Sequence, residues 1–129
     1  MPSMSASEMG RKNKMKKMLS VDKTDEIIRL VVEDFCLDVL FEFNDDLTRK
    51  AMTDKVCDFL KSFRNCKLGN YDDYQVVCNE INNSPAEIDQ NNFLVDVLVT
   101  NTWETPRHMV TKVDQKRIYS YVVDPYGVI

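Results

Sequence analysis

Carboxylates are the side chains in this sequence whose type and spacing come nearest to supporting catalysis or metal binding. Five of them flank one candidate strand: Asp72, Asp73, Glu80, Glu87 and Asp89. Paired carboxylates can act as general acid and base, or can bind a hard cation. The loop 79–92 lacks the regular carboxylate spacing of a calcium loop. We therefore expect a solvated, hydrogen-bonded turn here and no metal site.

Nucleophilic and cofactor chemistry have little support in the sequence. Cys78 and His108 form a cysteine–histidine dyad by residue type alone, but we expect Cys78 in the middle of a core strand and His108 at the surface or rim. The three glycines are too far apart for a glycine-rich phosphate loop. The four cysteines form no CxxC pair, which favours free thiols in a reducing compartment. We predict no enzymatic activity, no cofactor and no metal.

The N-terminal segment differs from the rest of the chain in charge. Residues 1–20 contain one acidic residue and five basic residues, which are Arg11, Lys12, Lys14, Lys16 and Lys17. The remaining chain has 12 basic and 20 acidic residues, and an acidic surface disfavours nucleic acid. Five of the seven methionines also lie in residues 1–18. We predict a basic, flexible or partner-docked arm over residues 1–21 and, because no apolar run approaches the ~20 residues of a membrane span, no membrane partner.

Two helices are predicted in the first half of the body. Asp22 or Thr24 can cap a helix over 22–40, whose apolar residues recur every three or four positions. A second helix over 46–64 keeps this spacing and has an acidic first turn and a basic end, as the helix dipole favours. We expect Phe59 to be buried between this second helix and a sheet.

Strands are predicted in the second half, where the apolar period changes to two. The candidate strands cover 74–79, 93–100, 108–113 and 118–123. A helical turn can begin at Pro85. The fold class is therefore α+β, with two helices packed on one small mixed or antiparallel sheet of three to four strands and with extended terminal arms. We expect the domain to cover 22–123 and a short tail to cover 124–129.

Trp103 lies in an otherwise polar segment, 101–106. This segment follows the candidate strand 93–100, which has the clearest alternation of the four. A tryptophan in such a loop either covers the core or anchors an interface, because large aromatic side chains dominate interface energies. The sequence leaves both roles open.

Two runs of residues resemble the C-terminal, tube-facing domain of contractile-tail sheath proteins. The run 41–49, FEFNDDLTR, is similar to the FEFND-x-LTR entry to a helix in that family. The run 74–97, YQVVCNEINNSPAEIDQNNFLVDV, is similar to the family's Y-x-VVCDE-x-NN-x-PE-x-ID-x-N-x-F signature. The resemblance extends over about residues 22–123. Sheath subunits are several times longer, so the chain resembles their inner domain alone.

The resemblance implies a structural virion protein, a minimal sheath-like subunit that surrounds the tube of a contractile bacteriophage tail and is assembled in the host cytoplasm. It implies partners that are copies of this chain and tail-tube or baseplate proteins, in a ring-forming or helical homo-oligomer. A sheath initiator, or a baseplate or neck ring protein of the same fold, is an alternative. A small nucleic-acid-binding or regulatory protein is a more distant one.

Terminal arms are the expected links between subunits, because in this family they add strands to the sheets of neighbours, which is strand exchange by β-augmentation. The basic N-terminal arm is one candidate. The other is the segment 118–123, for which the sequence indicates no partner within the chain. Its candidate linking residues are Ile118, Tyr119, Tyr121 and Val122.

Overall fold

The computed structural model describes residues 17–102, 104–115 and 117–124. These residues form the predicted α+β fold, with three α-helices and one antiparallel sheet of four strands. In chain order the elements are α1 (Val21–Cys36), α2 (Asp46–Asn65), β1 (Asp73–Val77), α3 (Pro85–Asp89), β2 (Asn92–Thr100), β3 (Arg107–Asp114) and β4 (Arg117–Val123). A 3-10 turn, Leu37–Val39, follows α1. Within the described residues, no helix is long and apolar enough to cross a bilayer.

Capping residues define where the two long helices begin. The Ser20 hydroxyl accepts a hydrogen bond from the Lys23 amide (3.1 Å), so α1 begins earlier than the sequence predicts. It also ends earlier, at Cys36, because the chain tightens there into the 3-10 turn, as is common at helix ends. The Asp45 carboxylate accepts a hydrogen bond from the Thr48 amide (2.8 Å) and caps α2, which confirms the predicted second helix to within one residue.

The sheet is built from strands that pair in chain order, β1–β2–β3–β4, with every pair antiparallel. β2 lies inside the sheet, and its alternating valines face the helices and are buried. The opposite face of β2 carries half-buried residues, including Leu94, Asp96 and Leu98. Both α1 and α2 contact the sheet, α1 against β3 and β4 and α2 against β1, so the two helices form one layer over it.

The core lies between this sheet and the two long helices. Its buried apolar helical residues are Ile28, Val32 and Cys36 on α1 and Met52, Val56, Leu60 and Phe63 on α2. Phe59 is only half-buried, which corrects its predicted position. Its ring stacks on Phe63 (5.3 Å between centroids) and meets Phe35 edge-on (6.3 Å), so it lies between the two helices while Leu60 faces the sheet.

Candidate functional site

The segment 118–123 has a strand partner in its own chain. β4 pairs antiparallel with β3, from Arg117 opposite Asp114 to Val123 opposite His108. The expectation that this segment lacks an internal partner is therefore wrong. The short turn between the two strands contains no Asn-Gly or Gly, the usual hairpin signal, and Gln115 adopts a left-handed φ of 48° there.

The inward side of β4 is joined to α1 by a polar cluster. The Arg29 guanidinium donates from Nε to the Ser120 hydroxyl (3.0 Å) and from Nη2 to the Ser120 carbonyl (3.1 Å). The same hydroxyl donates to the Glu33 carboxylate, and Ile118 packs against the core. β4 is therefore held on two sides, by the β3 ladder and by α1.

The outward side of β4 carries the two tyrosines singled out from the sequence. The rings of Tyr119 and Tyr121 stack with 6.3 Å between their centroids. The Arg117 guanidinium lies 4.9 Å from the centroid of the Tyr119 ring, within the range of a cation–π contact. Tyr121 is exposed on this side, and Val122, which alternation places on the inward side with Ser120, is also exposed near the end of the strand. Exposed aromatic side chains with an arginine are a composition typical of protein interfaces.

β4 is also an edge strand of the sheet. β3 occupies one of its sides, and within residues 17–102, 104–115 and 117–124 no strand pairs with the other side. Such an edge presents backbone N–H and C=O groups to which another strand can add. The predicted linking residues of 118–123 thus lie on an edge strand. Because β4 is already paired with β3, it is suited to receive a strand at its other edge and not to be donated to a neighbour.

A second candidate surface lies at the turn between α1 and α2. Phe41 and Phe43 are 85% and 86% exposed, and Leu47 on the first turn of α2 is exposed as well. The two phenylalanines line a groove of about 760 Å³ that extends to Ile88 and Phe93. We call it the phenylalanine groove. Apolar side chains grouped in this way mark an interaction surface more often than isolated exposed ones do.

A buried polar network fixes the backbone that carries these phenylalanines. Arg49 on α2 is buried, donates to the Asn44 carbonyl (3.1 Å) and pairs with Asp46. The Nδ2 atom of the Asn44 side chain in turn donates to the Asn92 carbonyl at the start of β2 (2.8 Å). The exposure of the phenylalanines is therefore a property of an anchored turn. The sequence pattern does not predict this anchor, because an arginine near the acidic first turn of a helix is normally expected at the surface.

The asparagine pair of the sheath-like run 74–97 completes one end of the sheet. β1 ends at Val77, opposite Asp96, so Leu94 has no β1 residue beside it. The buried Asn83 side chain takes that place, since its Oδ1 accepts from the Leu94 amide (2.8 Å) and its Nδ2 donates to the Leu94 carbonyl (3.0 Å). Asn82 donates to the Asp96 carboxylate (3.1 Å). The asparagines therefore have a structural role.

The best-buried ion pair of the domain joins α1 to β3. Arg107 donates from Nε to both carboxylate oxygens of Asp25 (3.0 and 2.8 Å) and from Nη2 to the Asn70 carbonyl (2.8 Å). It also donates to the Asn101 side chain. Burial raises the pKa of Asp25, and the Arg107 guanidinium opposes that shift. Because the Arg107 guanidinium donates to all of these acceptors, we assign it a structural role in joining α1, β3 and the turn after α2.

Three of the five candidate carboxylates, Asp72, Asp73 and Glu87, have separate contacts. Asp72 accepts hydrogen bonds from the Thr102 hydroxyl and amide, both at 2.6 Å, and these bonds lower its pKa. Asp73 accepts from the amide of the next residue (2.8 Å), and Glu87 lies 3.5 Å from the Lys112 ammonium. The expectation of hydrogen-bonded turns is confirmed. Within the described ranges, no group of three His, Cys, Asp or Glu side chains is placed to hold a metal ion.

The cysteine and the histidine of the hypothetical dyad have other environments. Cys78 lies just after the end of β1, which corrects its predicted place in mid-strand, and it is buried as expected. Burial raises the pKa of its thiol to about 12, so the sulfur stays protonated at neutral pH and is a poor nucleophile. His108 is half-buried on β3, with its Nε2 2.9 Å from Asp96 Oδ2.

Several predicted functional residues lie outside the described residues. These are Arg11, Lys12, Lys14 and Lys16 of the basic arm and Trp103. Lys17, the first described residue, is exposed. Two residues later the Leu19 amide donates to the Leu68 carbonyl (2.9 Å), which fixes the chain beside the beginning of α1. The proposed roles of the arm and of Trp103 stay predictions.

Comparison with known proteins supports the sheath resemblance in outline. A tail sheath protein of Vibrio phage KVP40 is 30% identical to this chain over 81 residues. The matched segment is 63% of this chain and 12% of the phage protein, so the chain corresponds to a small part of that protein. No protein-family model and no solved structure matches the chain significantly. The chain is thus similar to part of a phage tail sheath protein.

Proposed function

We propose that this chain is a structural protein of a contractile bacteriophage tail, a small sheath-like subunit that assembles around a tail tube. The similarity to a phage tail sheath protein carries the proposal. The described residues fit it, because their carboxylates serve turns and ion pairs, while an edge strand and an apolar groove face solvent. The proposed partners are copies of the chain and tail-tube or baseplate proteins, in a ring or helix within the virion tail.

The proposed link between neighbours is a strand added to the outer edge of β4. β3 and Arg29 hold β4 in its own sheet, so β4 receives a strand and the N-terminal arm of a neighbour supplies it. Each added backbone hydrogen bond contributes about 0.5–1.5 kcal/mol net, so a single short link is weak. Links repeated around a ring reinforce one another through multivalency.

A charge placed at the β4 edge tests this link. Lysines on an edge strand oppose strand addition, so Val122→Lys should prevent ring or tube formation while the melting temperature of the monomer stays the same. Assembly is measured by negative-stain imaging of the purified protein with a tube-forming partner. Ile81→Lys is the matched control, because Ile81 is also an exposed apolar residue but lies in a loop. Normal assembly of Val122→Lys would contradict the proposed link.

Copy number per virion tests the role itself. A repeating sheath requires subunits in numbers comparable to those of the tube protein, whereas an initiator or neck ring requires a single ring. Quantitative mass spectrometry of purified particles distinguishes the two. Absence of the chain from the particles would refute a structural tail role of either kind.

A further inference from the structure

The phenylalanine groove is an apolar surface that begins at Val39, in the 3-10 turn directly after α1. Within the described residues, the exposed apolar side chains at this end are Leu37, Phe41, Phe43 and Leu47. Leu37 follows the last residue of α1, so the apolar surface begins where that helix ends. A soluble protein rarely leaves a surface of this kind uncovered.

The exposed face of α1 runs from the N-terminal end of the domain to Asp38 in the 3-10 turn, three residues before Phe41. Residues four apart share one face of a helix, and one such row, continued into the 3-10 turn, is exposed and mostly acidic: Asp22, Glu26, Leu30, Asp34 and Asp38. Two lysines lie beside it, Lys23 at 3.3 Å from Glu26 and Lys55 at 2.9 Å from Asp38. Acidic residues still outnumber basic ones along the row, so it attracts a basic segment.

Residues 1–16 have a composition that matches this surface in the same order. Counting back from Lys17, the basic residues come first, between positions 17 and 11, and Met9, Met4 and Met1 come next. Methionine side chains are flexible and adapt to apolar grooves. Along the surface, the acidic row comes first and the phenylalanine groove comes next.

The dimensions also agree. The 16 residues of α1 rise about 1.5 Å each, so the acidic row is about 24 Å long. Seven extended residues, such as 11–17, span about 23 Å at roughly 3.3 Å per residue. An arm laid along α1 therefore places its basic part over the acidic row and brings residues 1–9 to the phenylalanine groove.

We propose that in the free subunit residues 1–16 fold back along α1 of the same molecule and insert their methionines into the phenylalanine groove. The arm then covers Phe41 and Phe43 in the free chain. A tethered segment has an effective concentration in the millimolar range, which favours its own groove over that of a second copy in dilute solution. This inference concerns the free chain and does not depend on the proposed role in a phage tail.

Photo-crosslinking of the full chain tests the contact. Phe43 is replaced by p-benzoylphenylalanine, and the crosslinked peptides are mapped by mass spectrometry at low protein concentration. The expected product is an intrachain crosslink to residues 1–9. The same probe at Tyr121, on the outward side of β4, is the control and should give no crosslink to these residues. A crosslink between two chains would show that a second copy fills the groove and would overturn the proposal. The absence of any crosslink from position 43 to residues 1–16 would overturn it as well.

Charge reversal tests the path along α1. Glu26→Lys combined with Asp34→Lys should reduce the intrachain crosslink several-fold. Asp54→Lys combined with Asp58→Lys changes the net charge equally, on exposed positions of α2, and should leave the crosslink unchanged. Raising the salt to 1 M, where the Debye length falls to about 3 Å, should act as the first pair does. Equal effects of the two pairs would refute an arm that lies along α1.

Dye binding gives a second, independent measurement. Deletion of residues 2–16 should raise the fluorescence of an apolar dye such as ANS by roughly threefold, because it uncovers the groove. The same deletion in a Phe41→Ser, Phe43→Ser background should change the fluorescence little. If the deletion has no effect in the parent chain while circular dichroism shows an intact fold, the arm does not cover the groove.

Discussion

The two turns that flank α2 treat aromatic residues in opposite ways. In the turn after α2, Tyr71 is 2% exposed, its hydroxyl donates to the Leu60 carbonyl (2.6 Å), and its ring meets that of Phe63 edge-on (6.1 Å). In the turn before α2, Phe41 and Phe43 project into solvent. Tyr71 therefore contributes to the stability of the domain, whereas Phe41 and Phe43, at the other end of α2, are available to contact another segment or protein.

Local backbone explains much of this difference. Gly69 lets the later turn approach the helix closely, because a Cβ at that position would lie 2.7 Å from Cε1 of Tyr71 and 3.1 Å from Cδ2 of Phe63. The earlier turn is anchored by Asn44 through its carbonyl and its side chain, and this anchor directs the neighbouring Phe43 outward. The exposure of an aromatic residue thus depends on how its turn is fixed, and residue type alone does not decide it.

Truncation of one aromatic residue in each turn should give the largest contrast. Tyr71→Ala is expected to lower the free energy of unfolding by about 3–5 kcal/mol, because it empties a buried site and removes a hydrogen bond. Phe43→Ala, made in the chain without residues 2–16 so that no arm covers the groove, should change it by less than about 0.5 kcal/mol, as is usual for an exposed side chain. Urea unfolding measures both, and similar losses in the two variants would invalidate the comparison.

The close approach at Gly69 should give a smaller effect. Gly69→Ala is expected to cost about 1–3 kcal/mol, because the added methyl group must displace the packed rings of Tyr71 and Phe63. Ser62→Ala, at an exposed position of α2, is the control and should be near neutral. An unchanged stability of Gly69→Ala would mean that the turn can relax at no cost.

The end of α2 should allow a modest gain in stability. Lys67 has a left-handed φ of 70°, a conformation that costs an ordinary residue roughly 1–2 kcal/mol and glycine almost nothing. Since glycine also loses more entropy on folding, Lys67→Gly should stabilise the domain by at most about 1 kcal/mol. Asn91→Gly, at a φ of 62°, should gain less, because asparagine tolerates this region. Thermal unfolding compares the two, and a loss in Lys67→Gly would count against the observed turn.

The cap before α2 should give the smallest effect, visible only in acid. Hydrogen bonds from Thr48 hold the pKa of Asp45 below its ordinary value of 3.8. The carboxylate therefore stabilises the fold above that value, and this contribution is lost as the pH falls through the lowered pKa. Asp45→Asn keeps an acceptor and cannot titrate, so its stability should fall less steeply between about pH 5 and 2. Parallel pH profiles for the two proteins would show that Asp45 contributes no pH dependence.

Periodicity predicts the architecture well, because burial of one face dictates it. The alternation from Phe93 to Val99 indicates the buried strand β2, and the spacing of Ile28 and Val32 indicates the inner face of α1. Periodicity does not resolve which of two neighbouring residues is central, and for that reason it predicts burial against the sheet for Phe59, although Leu60 occupies that position. It also cannot pair strands, so the β3–β4 hairpin, whose turn has no glycine or asparagine, was missed.

The candidate surfaces were predictable only in part. Exposed phenylalanines are indistinguishable from core residues in a sequence, since their outward position depends on the Asn44 and Arg49 contacts, which join distant segments. The tyrosines of β4 are predicted from the sequence as linking residues, but as parts of a terminal arm, and Arg117 is not among the predicted residues. Their place in the sheet depends on the pairing of β4 with β3 and on the Arg29–Ser120 contact, whose partners are 91 residues apart in the chain.

That contact has a mechanical consequence. A terminal strand held only by its ladder peels from the sheet one hydrogen bond at a time when its end is pulled. β4 cannot peel in this way without breaking the Arg29 bonds to Ser120, which lies at the middle of the strand. Tension applied through a strand docked on β4 would therefore pass into α1 and, through the Leu19–Leu68 hydrogen bond at its beginning, into the turn after α2. The domain would carry the load as one piece from its last strand to its first helix.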